Sequence, residues 1–204
     1  TGTYRSRRLV ESGEDPVWAL ALNENKELMA AVGYEGFRRY EWKADGSLHL
    51  LEKGRQGYQV NAFWRSEAEG EWWLATNKGL CQRKDGAAAW TCYLQQGGLA
   101  SEFIHAILED DQGGIWVSTN QGLSKYDRKE KRFFSFGPED GVQSLQFNSG
   151  AALRTRDGIF YFGGANGFNR FVPESISLEA GPAYSVYLTN LEINKLEEEY
   201  IELL

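Results

Sequence analysis

Between Ile104 and Phe136 apolar and polar residues alternate in short runs, and Gly, Asp or Asn closes each run. Ile104–Leu108 predicts a first strand, and Asp110-Asp111-Gln112-Gly113-Gly114 a tight turn after it. Ile115–Thr119 predicts a second strand, Asn120-Gln121 a short loop, and Gly122–Tyr126 a third strand. Asp127–Arg132 then turns the chain into a fourth strand, Phe133–Phe136. Period-two alternation bounded by turn residues is the signature of half-buried strands.

The same plan recurs along the chain. Val17-Trp18-Ala19-Leu20 leads to Gly36-Phe37, Val60-Asn61-Ala62-Phe63 to Gly79-Leu80, Ile104-His105-Ala106-Ile107 to Gly122-Leu123, and Ser149-Gly150-Ala151-Ala152 to Gly167-Phe168. The glycines of these steps are spaced by 43, 43 and 45 residues. Such a period fits a four-stranded propeller blade. Asp45-Gly46, Asp85-Gly86 and Asp157-Gly158 supply hairpin turns, because Asx-Gly tolerates the positive φ of a twisted two-residue turn. Trp72, Trp73, Trp116, Tyr161 and Phe162 fall on predicted second strands and are expected to fill the space between blades. The fold class is therefore all-β, a β-propeller of about four blades of four antiparallel strands, as part of a larger ring. Blades are expected near residues 17–51, 60–94, 104–136 and 149–171, within a propeller region of residues 1–176.

Composition narrows the function. Aromatic residues make up 14% of the 204 residues, and there are 23 glycines, as short strands and many turns require. The formal net charge is −7, and the densest basic run, Arg5-Ser6-Arg7-Arg8, is short. A nucleic-acid or anionic-membrane partner is thereby disfavoured. Apolar runs reach only about five residues, far short of the roughly 20 of a membrane-spanning helix, so no membrane contact is expected in this segment. No secretory h-region opens the sequence, so any signal is expected to have been cut away or never to have belonged to this segment.

At the centre of the third repeat, Leu108-Glu109-Asp110-Asp111-Gln112-Gly113-Gly114-Ile115-Trp116-Val117-Ser118-Thr119-Asn120-Gln121-Gly122-Leu123 resembles the two-component regulator propeller repeat of bacterial sensors. Asp140-Gly141-Val142-Gln143, Phe147-Asn148-Ser149-Gly150 and Tyr161-Phe162-Gly163-Gly164-Ala165-Asn166-Gly167-Phe168 resemble the last blade of those sensors. Val186–Asn194 is similar to the lead-in to their triple-tyrosine domain, which would start, truncated, within residues 183–204. The resemblance implies a membrane-anchored receptor with a periplasmic propeller, an output such as a histidine kinase or diguanylate cyclase in other domains, and glycan fragments as ligands. It implies no enzyme activity in this segment. A protein-interaction scaffold and a glycan-cleaving propeller are the rival readings.

Propeller topology sorts the connections onto two rims. Fourth-to-first loops and second-to-third tips share one rim, and the tight acid-Gly turns share the other. Irregular loops on a rigid scaffold are where recognition concentrates. Tyr34, Tyr58, Asn61, Asn77, His105, Asn120, Gln121, Gln146, Asn148 and Asn166 lie on or beside the loop rim, and offer flat rings and amides to an oligosaccharide or other small ligand. Glu109-Asp110-Asp111 could be read as paired catalytic carboxylates. However, Asp111-x-Gly113-x-x-Trp116 resembles the Asp-box turn of sialidase-type propellers, in which the Asp caps a hairpin, and this turn reading is preferred. His49 and His105 are the only histidines and lie in different repeats, so no metal and no cofactor is expected.

Cys81 and Cys92 face each other across the Asp85-Gly86 hairpin in a symmetric register. A disulfide or two free thiols fit this placement. The free pair is favoured, because adjacent antiparallel strands rarely offer the required torsion. Tyr4–Val10 would be the outer strand of a neighbouring or closing blade, and Ala183–Ile193 a further strand. An open arc would take the remaining blades, or a second copy of the chain, as its partner.

Overall fold

The computed structural model describes residues 16–54, 57–176 and 178. Strand order within every sheet follows the sequence. Blade 1 contains β1 (Val17–Leu22), β2 (Glu27–Val32), β3 (Phe37–Trp42) and β4 (Leu48–Gly54). Blade 2 contains β5 (Val60–Ser66), β6 (Glu71–Thr76), β7 (Gly79–Lys84) and β8 (Thr91–Tyr93). Blade 3 contains β9 (Ile104–Glu109), β10 (Ile115–Thr119), β11 (Gly122–Asp127) and β12 (Arg132–Phe136). Blade 4 has three strands among the described residues: β13 (Phe147–Arg154), β14 (Phe160–Gly164) and β15 (Gly167–Phe171). All pairing is antiparallel. Tyr4–Val10 and residues 183–204 lie outside the described residues.

The periodic glycine has a local cause. Gly79 and Gly122 open the third strands with φ of 105° and 97°. A Cβ at Gly122 would sit 2.2 Å from the carbonyl oxygen of Phe136, and one at Gly79 2.4 Å from that of Tyr93. Both the dihedral and the approach of the fourth strand therefore require a residue without a side chain. In front of each glycine a threonine closes the tip. The Thr76 and Thr119 hydroxyls accept from the N–H groups of Lys78 and Gln121, and donate to the carbonyls of Gly79 and Gly122.

The core lies between blades rather than at one centre. The inner strands β1, β5, β9 and β13 pack in chain order. Trp72 and Trp73, neighbours on β6, point to opposite faces as a strand requires. Trp72 packs with Met29 and Phe37 of blade 1. Trp73 packs with Ile107, Ile115, Val117 and Tyr126 of blade 3. Trp116, Leu108 and Leu123 meet Phe160 and Phe162 of blade 4. Tyr161 does not share this role. It lies on the far face of β14 and is half-buried, since no further blade among the described residues packs there. Among the described residues, Leu20 and Leu22 of blade 1 and Leu153 and Phe168 of blade 4 are apolar side chains left exposed.

The cysteines correct the expectation of free thiols. Cys81 of β7 and Cys92 of β8 are paired directly and form a disulfide, with Cα atoms 4.1 Å apart. That separation belongs to a non-hydrogen-bonded antiparallel pair, in which side chains approach most closely. The bond holds β8, a strand of three residues, onto the blade. Closing a loop this short is worth roughly 2–3 kcal/mol by the chain-entropy account. Replacing both cysteines with Ala is therefore expected to lower unfolding stability by about that amount in urea titrations, and reductant should have no further effect on the double variant.

Charged side chains tie blades together at their outer parts. Arg83 of blade 2 donates to both carboxylate oxygens of Glu52 in blade 1, at 2.6 and 2.9 Å, and Arg39 adds a third bond at 3.1 Å. Burial alone would raise the Glu52 carboxyl pKa. The hydrogen bond and charge of Arg83, with Arg39 behind them, outweigh it and hold the pKa below the ordinary value. A depressed folded-state pKa means that the stabilisation is present above the unfolded glutamate value of about 4.3 and is lost as pH falls through the folded one. Glu52→Gln is expected to lower Tm at pH 7 and to flatten the fall in Tm between neutral and acid pH. Calorimetry across that range checks it.

Candidate functional site

Each inner strand breaks register where it leaves the loop rim. The irregularities fall between Val17 and Ala19, between Val60 and Ala62, between Ile104 and Ala106, and between Phe147 and Ala152. A bulge leaves its extra residue unpaired and re-aims the side chain. In blades 2 and 3 that residue is Asn61 and His105, and both reach the next blade. The Asn61 side-chain amide donates to the carbonyl of Ile104 at 2.7 Å. His105 bonds Ser149 through Nδ1 at 2.9 Å and Asn120 through Nε2 at 2.7 Å. Three consecutive blades are thus stitched by polar groups at the loop-rim ends of their inner strands.

These bonds position other groups. Asn120 Oδ1 accepts from the imidazole, so His105 carries its proton on Nε2 when neutral, and its Nδ1 then accepts from the Ser149 hydroxyl. The Asn120 carbonyl is held inward, and its NH₂ is left toward solvent on an exposed tip beside exposed Gln121. Asn61 Oδ1 accepts from the side chain of Gln59 at 2.9 Å. The Gln59 main chain exchanges bonds with Asn77, whose Oδ1 accepts from the Gln59 N–H at 3.0 Å. Lys78 sits over the half-buried ring of Tyr58, 5.0 Å from its centroid.

The ten predicted residues therefore fall into groups. Tyr58, Asn61 and Asn77 meet around Gln59, and His105 and Asn120 meet through a direct bond, with Gln121 next on the tip. The Gln146 carbonyl accepts from the Ala165 N–H, and the Asn166 N–H donates to Gln143 Oε1 at 2.8 Å. Asn148 is exposed on β13. Tyr34 stands on blade 1, exposed, and is tied to the loop by its carbonyl alone among the bonds described. Sequence reasoning missed Gln59, Gln143 and Ser149. The Thr-x-x-Gly spacing at 76–79 and 119–122 was the available signal for where the tips are pinned.

On the opposite rim the acidic run is structural, and the capping residue differs from the one expected. Asp110, not Asp111, closes the β9–β10 turn. Its Oδ1 accepts from the N–H groups of Gln112 and Gly114 at 3.1 and 2.7 Å, and its Oδ2 from Trp116 Nε1 at 2.9 Å. Lys125 completes a buried ion pair with it at 2.9 Å. Strand parity explains the choice. Ala106, Leu108 and Asp110 share one face and turn inward beside Trp116, whereas Asp111 is at the tip, exposed, and pairs with Arg154. Glu109 accepts from Trp64, Ser66 and Arg128 of two blades. Arg128 also pairs with fully buried Glu71, which accepts from Trp73 and Gln82 as well. Glu109 and Asp110 are engaged in bonds that hold the fold, and exposed Asp111 is paired with Arg154. Near this rim a cleft of about 380 Å³ opens between blades 1 and 2, lined by Arg39, Glu52, Trp72, Arg83 and Asp85.

Repeated four-stranded sheets with inter-blade cores and a loop rim of pinned tips define a β-propeller. The model of the family described as "two component regulator propeller" matches residues 98–121, so the third blade carries a two component regulator propeller repeat. Histidine kinase P4 of Formosa agariphila is 36% identical over 85 residues, which cover 42% of this chain and 6% of the kinase. The extracellular domain of a hybrid two component system from B. thetaiotaomicron is similar with a TM-score of 0.64 and 27% identity, over 78% of this chain and 22% of that one. The extracellular domain of a one component system from the same organism shares the fold, with a TM-score of 0.62 and 19% identity over 80% of this chain and 24% of its own. The chain thus spans a small part of the proteins it matches. It is a propeller similar to those in extracellular domains of such signalling systems. Among the described residues no helix is long and apolar enough to cross a membrane.

Proposed function

We propose that this propeller is the periplasmic, ligand-sensing part of a bacterial signalling receptor, and that its loop rim binds an oligosaccharide. The observation that carries the reading is the Asn120 tip. A buried histidine clamped between Ser149 and Asn120 holds one amide rigidly, with its donor face toward solvent. Pre-organised amides beside flat rings suit the hydroxyls and faces of a sugar, because ordering of the protein on binding is already complete. The disulfide fits an oxidising compartment. The acidic run has no carboxylate left without a bonded partner, which argues against the glycan-cleaving alternative.

A thermal-shift screen over oligosaccharides tests this. A ligand at a hundredfold excess over Kd raises stability by about 2.7 kcal/mol, a Tm rise on the order of 5–10 °C for a chain of this size. Asn120→Asp with Gln121→Ala should abolish the rise, and because the carboxylate keeps an acceptor for the His105 imidazole and Gln121 is exposed, the unliganded fold should be retained. A flat Tm across the panel overturns the carbohydrate reading.

A further inference from the structure

The aromatic core repeats from one blade interface to the next, and one copy of it carries groups that packing does not require. Trp116 stacks with Phe136 of its own blade, at a centroid distance of 5.3 Å, and meets Phe171 of blade 4 at 5.0 Å. Between blades 2 and 3 the same triad is Trp73, Tyr93 and Tyr126, with distances of 5.9 and 5.6 Å. The positions are equivalent in register. Tyr93 pairs with Leu80 as Phe136 pairs with Leu123, and Tyr126 pairs with Ile115 as Phe171 pairs with Phe160. Phenylalanine at both places suffices to bury Trp116, so the hydroxyls of Tyr93 and Tyr126 serve something other than packing.

Those two hydroxyls lie 3.3 Å apart and line a cleft of about 380 Å³ between blades 2 and 3. Tyr93 donates to Gln82 Oε1 at 2.9 Å, and burial pushes its phenol pKa up, so it keeps that proton. A hydroxyl has a single proton, so Tyr126 is left to turn its own toward Tyr93 or toward an acceptor in the cleft. Arg128 also lines the cleft, with its charge balanced by Glu71 and Glu109. Lys84 and Lys131 line it too, exposed and without an ion pair among the described residues. Exposed Glu69 is the sole carboxylate among the lining residues. Two unpaired ammonium groups against one carboxylate make this cleft locally positive in a chain of net charge −7.

We propose that the cleft between blades 2 and 3 is a second binding site, for a small oxyanion ligand bearing a carboxylate or a phosphate. Lys84 and Lys131 meet the charge, and the Tyr126 hydroxyl supplies a neutral donor. Ammonium groups bind oxyanions through charge-assisted hydrogen bonds. The volume falls within the range of small-molecule sites, about 300–1,000 Å³. Glu69 stands in the β5–β6 turn and Lys131 in the β11–β12 turn, which puts the site on the rim opposite the Asn120 tip. The inference is therefore independent of the carbohydrate reading of the loop rim.

Calorimetric titration and thermal shift of the 204-residue chain with glucuronate, inorganic phosphate and glucose test it. At least one of the anions is expected to bind and glucose is not, and the responding anion tells a carboxylate site from a phosphate site. Binding should weaken as salt rises, because exposed charges are screened. Lys84→Gln with Lys131→Gln should weaken it by about tenfold or more, with an unchanged circular dichroism spectrum, since both side chains are exposed. Tyr126→Phe should weaken it as well, in a fold that already accepts phenylalanine at the equivalent Phe171. Asn120→Asp with Gln121→Ala should leave anion binding intact. Absence of binding by both anions, an equal response to glucose, or binding that survives the double lysine substitution overturns the proposal. Anion binding that is lost instead in the Asn120 and Gln121 variant belongs to the loop rim and overturns it too.

Discussion

Asp110→Ala is expected to cost about 3–5 kcal/mol of unfolding stability, the usual scale for removing one partner of a buried ion pair. The carboxylate is almost wholly buried and accepts from two turn N–H groups and from Trp116, and Lys125 depends on it for a counter-charge in a site nearly as dry. Removal strands the ammonium under the Trp116 ring, 5.3 Å from its centroid, with no anion. The buried Gly114 N–H and the Trp116 indole N–H also lose their acceptor. Asp110→Asn should be milder, since the amide oxygen can still receive the turn N–H groups. Asp111→Asn is the control. Its side chain is 66% exposed, and its pair with Arg154 is worth no more than about 1 kcal/mol. Guanidinium titrations of the three variants give the ranking, and a severe loss in Asp111→Asn with a mild one in Asp110→Ala would reverse the assignment of the cap.

Arg128→Met should be comparably severe, about 3–5 kcal/mol. Arg128 is the cation between two carboxylates, fully buried Glu71 of blade 2 and Glu109 of blade 3. Burial on its own would lower the guanidinium pKa, but the bond and charge of Glu71, then those of Glu109, raise it above the usual value. The arginine stays charged at all working pH, and the damage in the variant comes from the stranded Glu71. Neutralising that carboxylate should restore much of the loss. A double-mutant cycle with Glu71→Gln is expected to give a coupling of at least about 1 kcal/mol, since directly paired buried groups are not additive. Strict additivity in the cycle would show that Arg128 stabilises through its guanidinium over the Trp73 ring instead.

The fold was legible because a propeller repeats its local rules. Gly36, Gly79, Gly122 and Gly167 mark third strands, and the Asp-Gly pairs mark hairpins, through backbone requirements that act within a few residues. Strand limits moved by a residue or two. β9 runs on to Glu109, and β13 starts at Phe147, ahead of the predicted Ser149. The candidate site was legible only as an address. That Asn120 and Gln121 sit on a rim tip follows from connectivity. That His105 holds Asn120, or that Gln59 binds both Asn61 and Asn77, depends on where bulges turn side chains and on which blade stands opposite. No spacing along the chain encodes those facts.

The sequence by itself determined the blade period, the strand order, the turns and the two rims, since each arises from alternation and from glycine or Asx geometry over short distances. Tertiary structure alone decided which of three consecutive acids faces inward, that Cys81 and Cys92 are bonded, and which apolar side chains another blade covers. Each of those depends on the distance and orientation of groups contributed by different strands or blades. Leu108 and Leu123 of blade 3 are core against blade 4, whereas Leu153 and Phe168 at the equivalent positions of blade 4 are exposed, because burial is a property of the neighbour as much as of the residue.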